Sequence, residues 1–253
     1  NFDIERLAKL TENCSYAQLD QVIKNARFKA KSQARGISST QDLEDSIDNV
    51  IFKIKNEKIL PISEESKKII ASHLAGKTLS QILFDDKINK KILKVTLKAT
   101  IPAVKESMMF SPQDKIKAIK EKKTKYGHIF TYSKDEISNF EDEQSLESQC
   151  KVLLSGKIAE QLILGTQHIV GKSDKTKALE LAKNIVYNGI RPEKLNKIVL
   201  REYDNKALSM LDKFEQEIKI TLEKNKDKLE KIYQALLEKH TLSRSDLIQE
   251  SQN

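Results

Sequence analysis

At 253 residues and 28.9 kDa, with 38% hydrophobic and 32% charged residues, the chain can build one large domain or two smaller ones. Few glycines and prolines, no tryptophan and no apolar run of membrane-crossing length exclude a disordered or membrane-spanning chain and favour a helix-rich fold with solvated faces. The net charge of +8 comes from lysines dispersed among acids, without the aromatic interleaving of a nucleic-acid surface, so nucleic acid is not an expected partner.

Cys14 and Cys150 lie far apart and outside metal-like spacing, and read as two reduced thiols. The opening Asn1-Phe2-Asp3-Ile4 has no initiator Met and no signal peptide, and reads as part of something longer.

In chain order, residues 1–55 read as a small helical bundle. Ile4, Leu7, Ala8 and Leu10 form a short apolar face, and Leu19, Val22, Ile23, Ala26 and Ala30 recur at helical spacing between Tyr16 and Ala34. Gly36 stands where a C-terminal cap is expected, and Ser39 with Asp42 is spaced as a capping box before Leu43, Ile47, Val50 and Ile51. Residues 53–63, with Pro61, form a polar connector.

A helix is predicted from Glu64 to Leu83. Leu93, Val95, Leu97 and Ala99 then alternate with Lys94, Thr96, Lys98 and Thr100, a period-two strand with one buried face. Residues 113–126 hold six lysines and read as a solvated loop. Ser133 with Glu136 is spaced as a helix start, and further helices are predicted at Ser145–Leu164 and Asp174–Tyr187. Leu211, Phe214, Ile218, Leu222, Leu229, Ile232 and Leu236 mark one long helix from Leu208 to Lys239. Periodicity by itself names no function.

Read as strings, the two sections resemble the FtsH-type AAA+ membrane proteases. Residues 2–51 look like the helical lid that closes the AAA+ module. Five later segments resemble the peptidase domain in the same order: "ESKKIIASHLAGKTL", "LLSGKIAEQLILG", "GKSDKTKALELAKNIV", "RPEKLNKIVLREY" and "LLEKHTLSRSDLIQE". The resemblance lapses across residues 100–130. It implies a mainly α fold with a small β element: a helical AAA+ lid at 1–55, a linker at 56–66 and an FtsH-like helical peptidase domain at 67–253.

A zinc peptidase of this kind needs two imidazoles one helical turn apart to bind the metal, and a glutamate beside the first to move the proton of the attacking water. The family writes this as H-E-x-G-H, with a distant aspartate as third ligand. Here the segment reads His73-Leu74-Ala75-Gly76-Lys77, and Asp174 matches the third ligand. Leucine carries no proton, and an ammonium offers a metal no lone pair. The resemblance therefore implies remnant ligand positions at His73 and Asp174, degenerate positions at Leu74 and Lys77, no catalytic residue and no bound zinc. Lys77 is expected to replace the metal as counter-charge to Asp174, with His73 hydrogen-bonded nearby and Leu74 turned to apolar neighbours. Glu160 matches an acidic helix position with a structural role. His128, His168 and His240 read as ordinary histidines, although His168 with His73 and Asp174 could rebuild a site.

In the lid, Asn13-Cys14-Ser15-Tyr16-Ala17-Gln18-Leu19 stands where the family has G-x-S-G-A-D-L beside the nucleotide, with both glycines missing. ATP and Mg²⁺ would be held by residues upstream of this chain. The expected function is a pseudoprotease region serving as oligomerisation and docking scaffold. Its expected partners are a homo- or hetero-hexameric ring, polypeptide substrates, and a membrane reached through an N-terminal anchor outside this chain. The membrane would leave this region on the cytosol-like side. Two alternatives stand beside it: an active zinc metalloendopeptidase with an unorthodox site, and a basic module for nucleic acid or anionic lipid.

Overall fold

The computed structural model describes residues 4–11, 14–52, 63–100, 125–133, 142–168, 172–188 and 197–252. Its elements are mostly helices, with one small sheet. They divide into two compact units, residues 1–61 with 98–128 and residues 62–97 with 129–253.

The first unit contains α1 (Ile4–Leu10), α2 (Tyr16–Ser32) and α3 (Thr40–Val50). Helix α2 starts where Ser15 Oγ accepts the Gln18 N–H and the Gln18 side chain accepts the Ser15 N–H, a reciprocal box that satisfies two orphan donors. Helix α3 starts on the Ser39–Asp42 box anticipated from spacing. Asp42 also receives both Arg35 nitrogens, at 2.7 and 2.8 Å, and that guanidinium with the Ser39 bonds holds its carboxyl well below the usual range. Helices α2 and α3 pack together, burying Val22, Ala26, Ala30, Ile47 and Val50, with Lys29 paired to Asp45 across them. The turn after α2 differs from expectation. Gly36 is not the left-handed residue; Ala34 is, with φ 55°.

The second unit is built around α5 (Glu143–Leu164). Against it pack α4 (Glu64–Leu83), α6 (Lys172–Tyr187) and α7 (Lys197–Lys224). Helix α8 (Lys226–Lys239) covers α4, and α9 (Arg244–Gln252) closes on α8. Ser63 caps α4 by accepting the Ser66 N–H, and Glu64 and Glu65 sit in the first turn, where the helix dipole favours carboxylates. Asp142 caps α5, which ends on Gly165 at φ 71°, a conformation that favours glycine.

The apolar stripe predicted for one helix from Leu208 to Lys239 is buried throughout, but it belongs to two helices. The break is at Asn225, whose side-chain amide donates to the Thr221 carbonyl 2.9 Å away, competing with the helical ladder.

The sheet runs in the order β2–β1–β3, from β1 (Lys90–Thr100), β2 (Lys125–Ser133) and β3 (Thr241–Ser243). Strands β1 and β3 are antiparallel, with Val95 opposite Leu242. Alternation along β1 is broken at Thr96, which is fully buried because its hydroxyl meets the Thr241 hydroxyl at 2.8 Å. Ser133, read as a helix start, ends β2 instead, and the rest of that segment lies outside the described residues. Residues 101–124, which hold most of the lysine-rich segment, also lie outside them. No helix among the described residues is long and apolar enough to cross a membrane.

Candidate functional site

The site begins with an unusually close approach of α4 and α5. A Cβ built on Gly76 would lie 2.3 Å from Ala159 Cβ and 2.6 Å from the Ser155 carbonyl oxygen. One built on Gly156 would lie 2.5–2.7 Å from the His73 ring atoms. Two glycines thus let the helices touch backbone to backbone and hold the imidazole against α5. A glycine inside a helical pattern is a signal for close approach, and Gly76 and Gly156 both stand inside one.

His73 and Lys77 lie four residues apart on α4, so both side chains leave the same face. Asp174 comes from the first turn of α6, where the helix dipole favours its charge. The structure brings the three together on one oxygen. Lys77 Nζ donates to Asp174 Oδ2 at 2.9 Å, and His73 Nε2 lies 3.0 Å from the same atom. A carboxylate oxygen only accepts, so His73 Nε2 carries the proton. His73 Nδ1 is buried without a hydrogen-bond partner among the described residues.

Lys77 and Asp174 keep only 19% and 14% of their side-chain surface exposed, so the pair is largely removed from water. Burial alone would push the Asp174 carboxyl up. The His73 hydrogen bond and the Lys77 ammonium outweigh it and bring the carboxyl down to about 2. Its ordinary value is 3.8, so the ionised form is the one that folding favours. The resulting stability is fully present above about pH 4 and is lost as pH falls through about 2, and it amounts to about 2 kcal/mol. We expect acid unfolding followed by circular dichroism to show this loss in the parent chain, and Asp174→Asn to flatten that part of the profile. Superimposable profiles would contradict it.

Leu74 is buried in the apolar core with Ala71, Ala75 and Leu79, so the residue beside His73 meets hydrocarbon and has no proton to exchange. Glu160 is fully buried on α5. Its Oε1 accepts from the His168 backbone N–H and lies against His168 Nδ1, each at 2.5 Å, tying down the segment that follows α5. Oε2 has no partner among the described residues. This pairing was not foreseen, and it engages His168 with Glu160 rather than with Asp174. Of the other histidines, His240 is the left-handed cap of α8, its carbonyl accepting from Leu97 N–H at 2.9 Å, while His128 lies in β2. Cys150 is buried against the Ala178 carbonyl, and burial pushes its thiol up to about 12; neither it nor Cys14 is in a disulfide. Tyr16 is almost wholly exposed at the start of α2.

Two facing positions one turn apart on a helix, met by a carboxylate from the start of another helix, form the layout of a helix-borne zinc site. The residues here do not fit the metal. One of the two helix positions is an ammonium, which already holds the carboxylate and has no lone pair to give a metal. Among the described residues no cluster of three or more His, Cys, Asp or Glu side chains is arranged to hold a metal ion.

Comparison with known proteins finds similarity to ATP-dependent zinc metalloproteases over nearly the whole chain. The chain is 27% identical over 268 residues to the ATP-dependent zinc metalloprotease FtsH 2 of Methylacidiphilum infernorum, covering 96% of this chain and 38% of that protein. It is 25% identical to the mouse ATP-dependent zinc metalloprotease YME1L1, covering 94% of this chain and 30% of the relative. It is also 25% identical to FTSH 11, chloroplastic/mitochondrial, of Arabidopsis thaliana, covering 97% and 28%. No protein-family model matches the chain. The chain is a relative of the FtsH-type ATP-dependent zinc metalloproteases, and it spans about a third of the length of the curated relatives it matches.

Proposed function

We propose that this chain is a pseudoprotease region of an FtsH-like protein, kept for assembly and docking after the loss of proteolytic chemistry. One observation carries the reading: the Lys77 ammonium sits on the carboxylate that a metal would need, 2.9 Å from Asp174 Oδ2. An ammonium and a zinc ion compete for the same lone pair, and the ammonium is covalently part of the chain. Leu74 supports the same reading, because hydrolysis needs a base beside the first imidazole and a buried leucine supplies none.

The packing that would serve a ring does not need the metal. Helices α4, α5, α7 and α8 share one apolar core, so the fold a ring subunit would need is held by burial and not by a metal. In this reading the region joins a homo- or hetero-hexameric AAA+ ring that pulls or remodels polypeptides. ATP and Mg²⁺ are handled upstream, and a membrane anchor lies outside this chain. The name of each relative above describes cleavage driven by ATP; what is proposed here retains the assembly without the cut.

The test is degradation of an unfolded protein such as reduced casein, with zinc supplied and with a chelator. The expected result is no cleavage in either condition. Chelator-sensitive cleavage that disappears in His73→Ala would overturn the proposal.

A further inference from the structure

A cavity of about 430 Å³ lies beside the Lys77–Asp174 pair, lined entirely by residues of the second unit. Its volume falls in the range of small-molecule sites, about 300–1,000 Å³. The lining is divided by chemistry. Ile88 and Val152 are buried and form an apolar floor, with Ile129, Leu153 and Leu181 half-buried around them. Lys90 and Lys177 are exposed at the rim, and neither has an ion-pair partner among the described residues. Lys77 lines the cavity as well. Its ammonium has three N–H donors, and Asp174 Oδ2 is the one acceptor for them among the described residues. Glu180 is the single carboxylate in the lining.

We infer that this cavity binds a ligand with an apolar chain ending in a carboxylate, the chain against Ile88, Val152 and Leu153 and the carboxylate among Lys77, Lys90 and Lys177. An apolar floor alone would take any small hydrocarbon. With the charge of Lys77 balanced by Asp174, Lys90 and Lys177 stand against Glu180 alone, which leaves the mouth net positive and favours an anion. A partly buried ammonium with donors to spare gains most from an acceptor that reaches it. The amide of Gln81, which donates to the Lys90 carbonyl at 2.9 Å, ties that rim residue's backbone to α4. The inference does not rest on the loss of proteolysis: it concerns the cavity next to the altered site, and its readout is binding.

The test is a titration of the whole chain, labelled at Ile, Leu and Val methyls, followed by nuclear magnetic resonance. The probes are octanoate, octanol as its uncharged counterpart, and an acetylated tripeptide ending in leucine as free acid and as amide. Octanoate is expected to shift the methyls of Ile88, Ile129, Leu153 and Leu181, and to bind about five- to tenfold more tightly than octanol, as expected for two or three partly exposed charge contacts. Lys177→Glu should weaken octanoate about fivefold and leave octanol unchanged. If the peptide acid outcompetes both its amide and octanoate, the natural ligand is a polypeptide C-terminus; if octanoate outcompetes the peptide acid, it is a free aliphatic acid. No shift at these methyls with any probe, equal binding of octanoate and octanol, or an unchanged octanoate affinity in Lys177→Glu would overturn the inference.

Discussion

Replacing Lys77 by alanine is expected to destabilise the second unit by about 3 kcal/mol, read as a lower denaturant midpoint. The number follows from burial. Removing one partner of a buried pair costs about 3–5 kcal/mol, and the small exposure left to Lys77 and Asp174 places this pair at the lower end. The loss is asymmetric, because the lysine stem leaves a gap while the carboxylate stays behind, partly buried and held only by His73. Removing both charges should therefore cost less than the sum of the single changes. In a double-mutant cycle, Lys77→Ala with Asp174→Ala should be less destabilised than additivity requires, by at least about 1 kcal/mol. Additive single effects would mean that the two side chains do not hold one another.

The second large effect is expected at Gly76→Ala. In an exposed helix this change stabilises by about 1 kcal/mol, because alanine has the better helix propensity. Here the added methyl meets Ala159 Cβ and the Ser155 carbonyl oxygen, neither of which can swing aside as a long side chain could. Helices α4 and α5 must separate or slide, and overpacking of that kind costs about 1–3 kcal/mol. With backbone on the receiving side we expect a net loss of about 2 kcal/mol, together with movement of His73 away from Asp174. Thermal unfolding and the His73 ring resonances would report both. An unchanged or raised stability would show that α4 and α5 are not seated closely enough to exclude a methyl group.

The sequence made the helices legible wherever cap and stripe agreed. Helix α4 runs over the predicted Glu64–Leu83, because Ser63, Glu64 and Glu65 mark its start and apolar residues follow at helical spacing. Strand β2 escaped notice because lysines up to Lys125 pulled the reading towards a loop, although Ile129, Phe130, Thr131 and Tyr132 are strand formers. Strand β3 is three residues long, too short to show a period. The Asn225 break could not be read from hydrophobic spacing, since the stripe continues across it; the break lies in a side-chain bond to the backbone.

The candidate site divides in the same way. His73 and Lys77 are neighbours by helical spacing, which any sequence displays. Asp174 is 97 residues beyond Lys77, and only the family resemblance linked it to them; no local pattern could. The glycine seat of α4 on α5 depends on how helices cross, which one chain's sequence does not encode locally, and the contact of Glu160 with His168 depends on how the chain folds back after the Gly165 cap.

The account turns on whether an ammonium has displaced a metal, and zinc titration of the parent chain beside Lys77→His is the most direct measurement. The substitution supplies a second imidazole on the face that already presents His73 to Asp174, completing a three-ligand set without altering the core around Leu74. We expect no saturable zinc in the parent and close to one zinc per chain in Lys77→His. Stoichiometric zinc in the parent that is lost in Asp174→Ala would contradict the account.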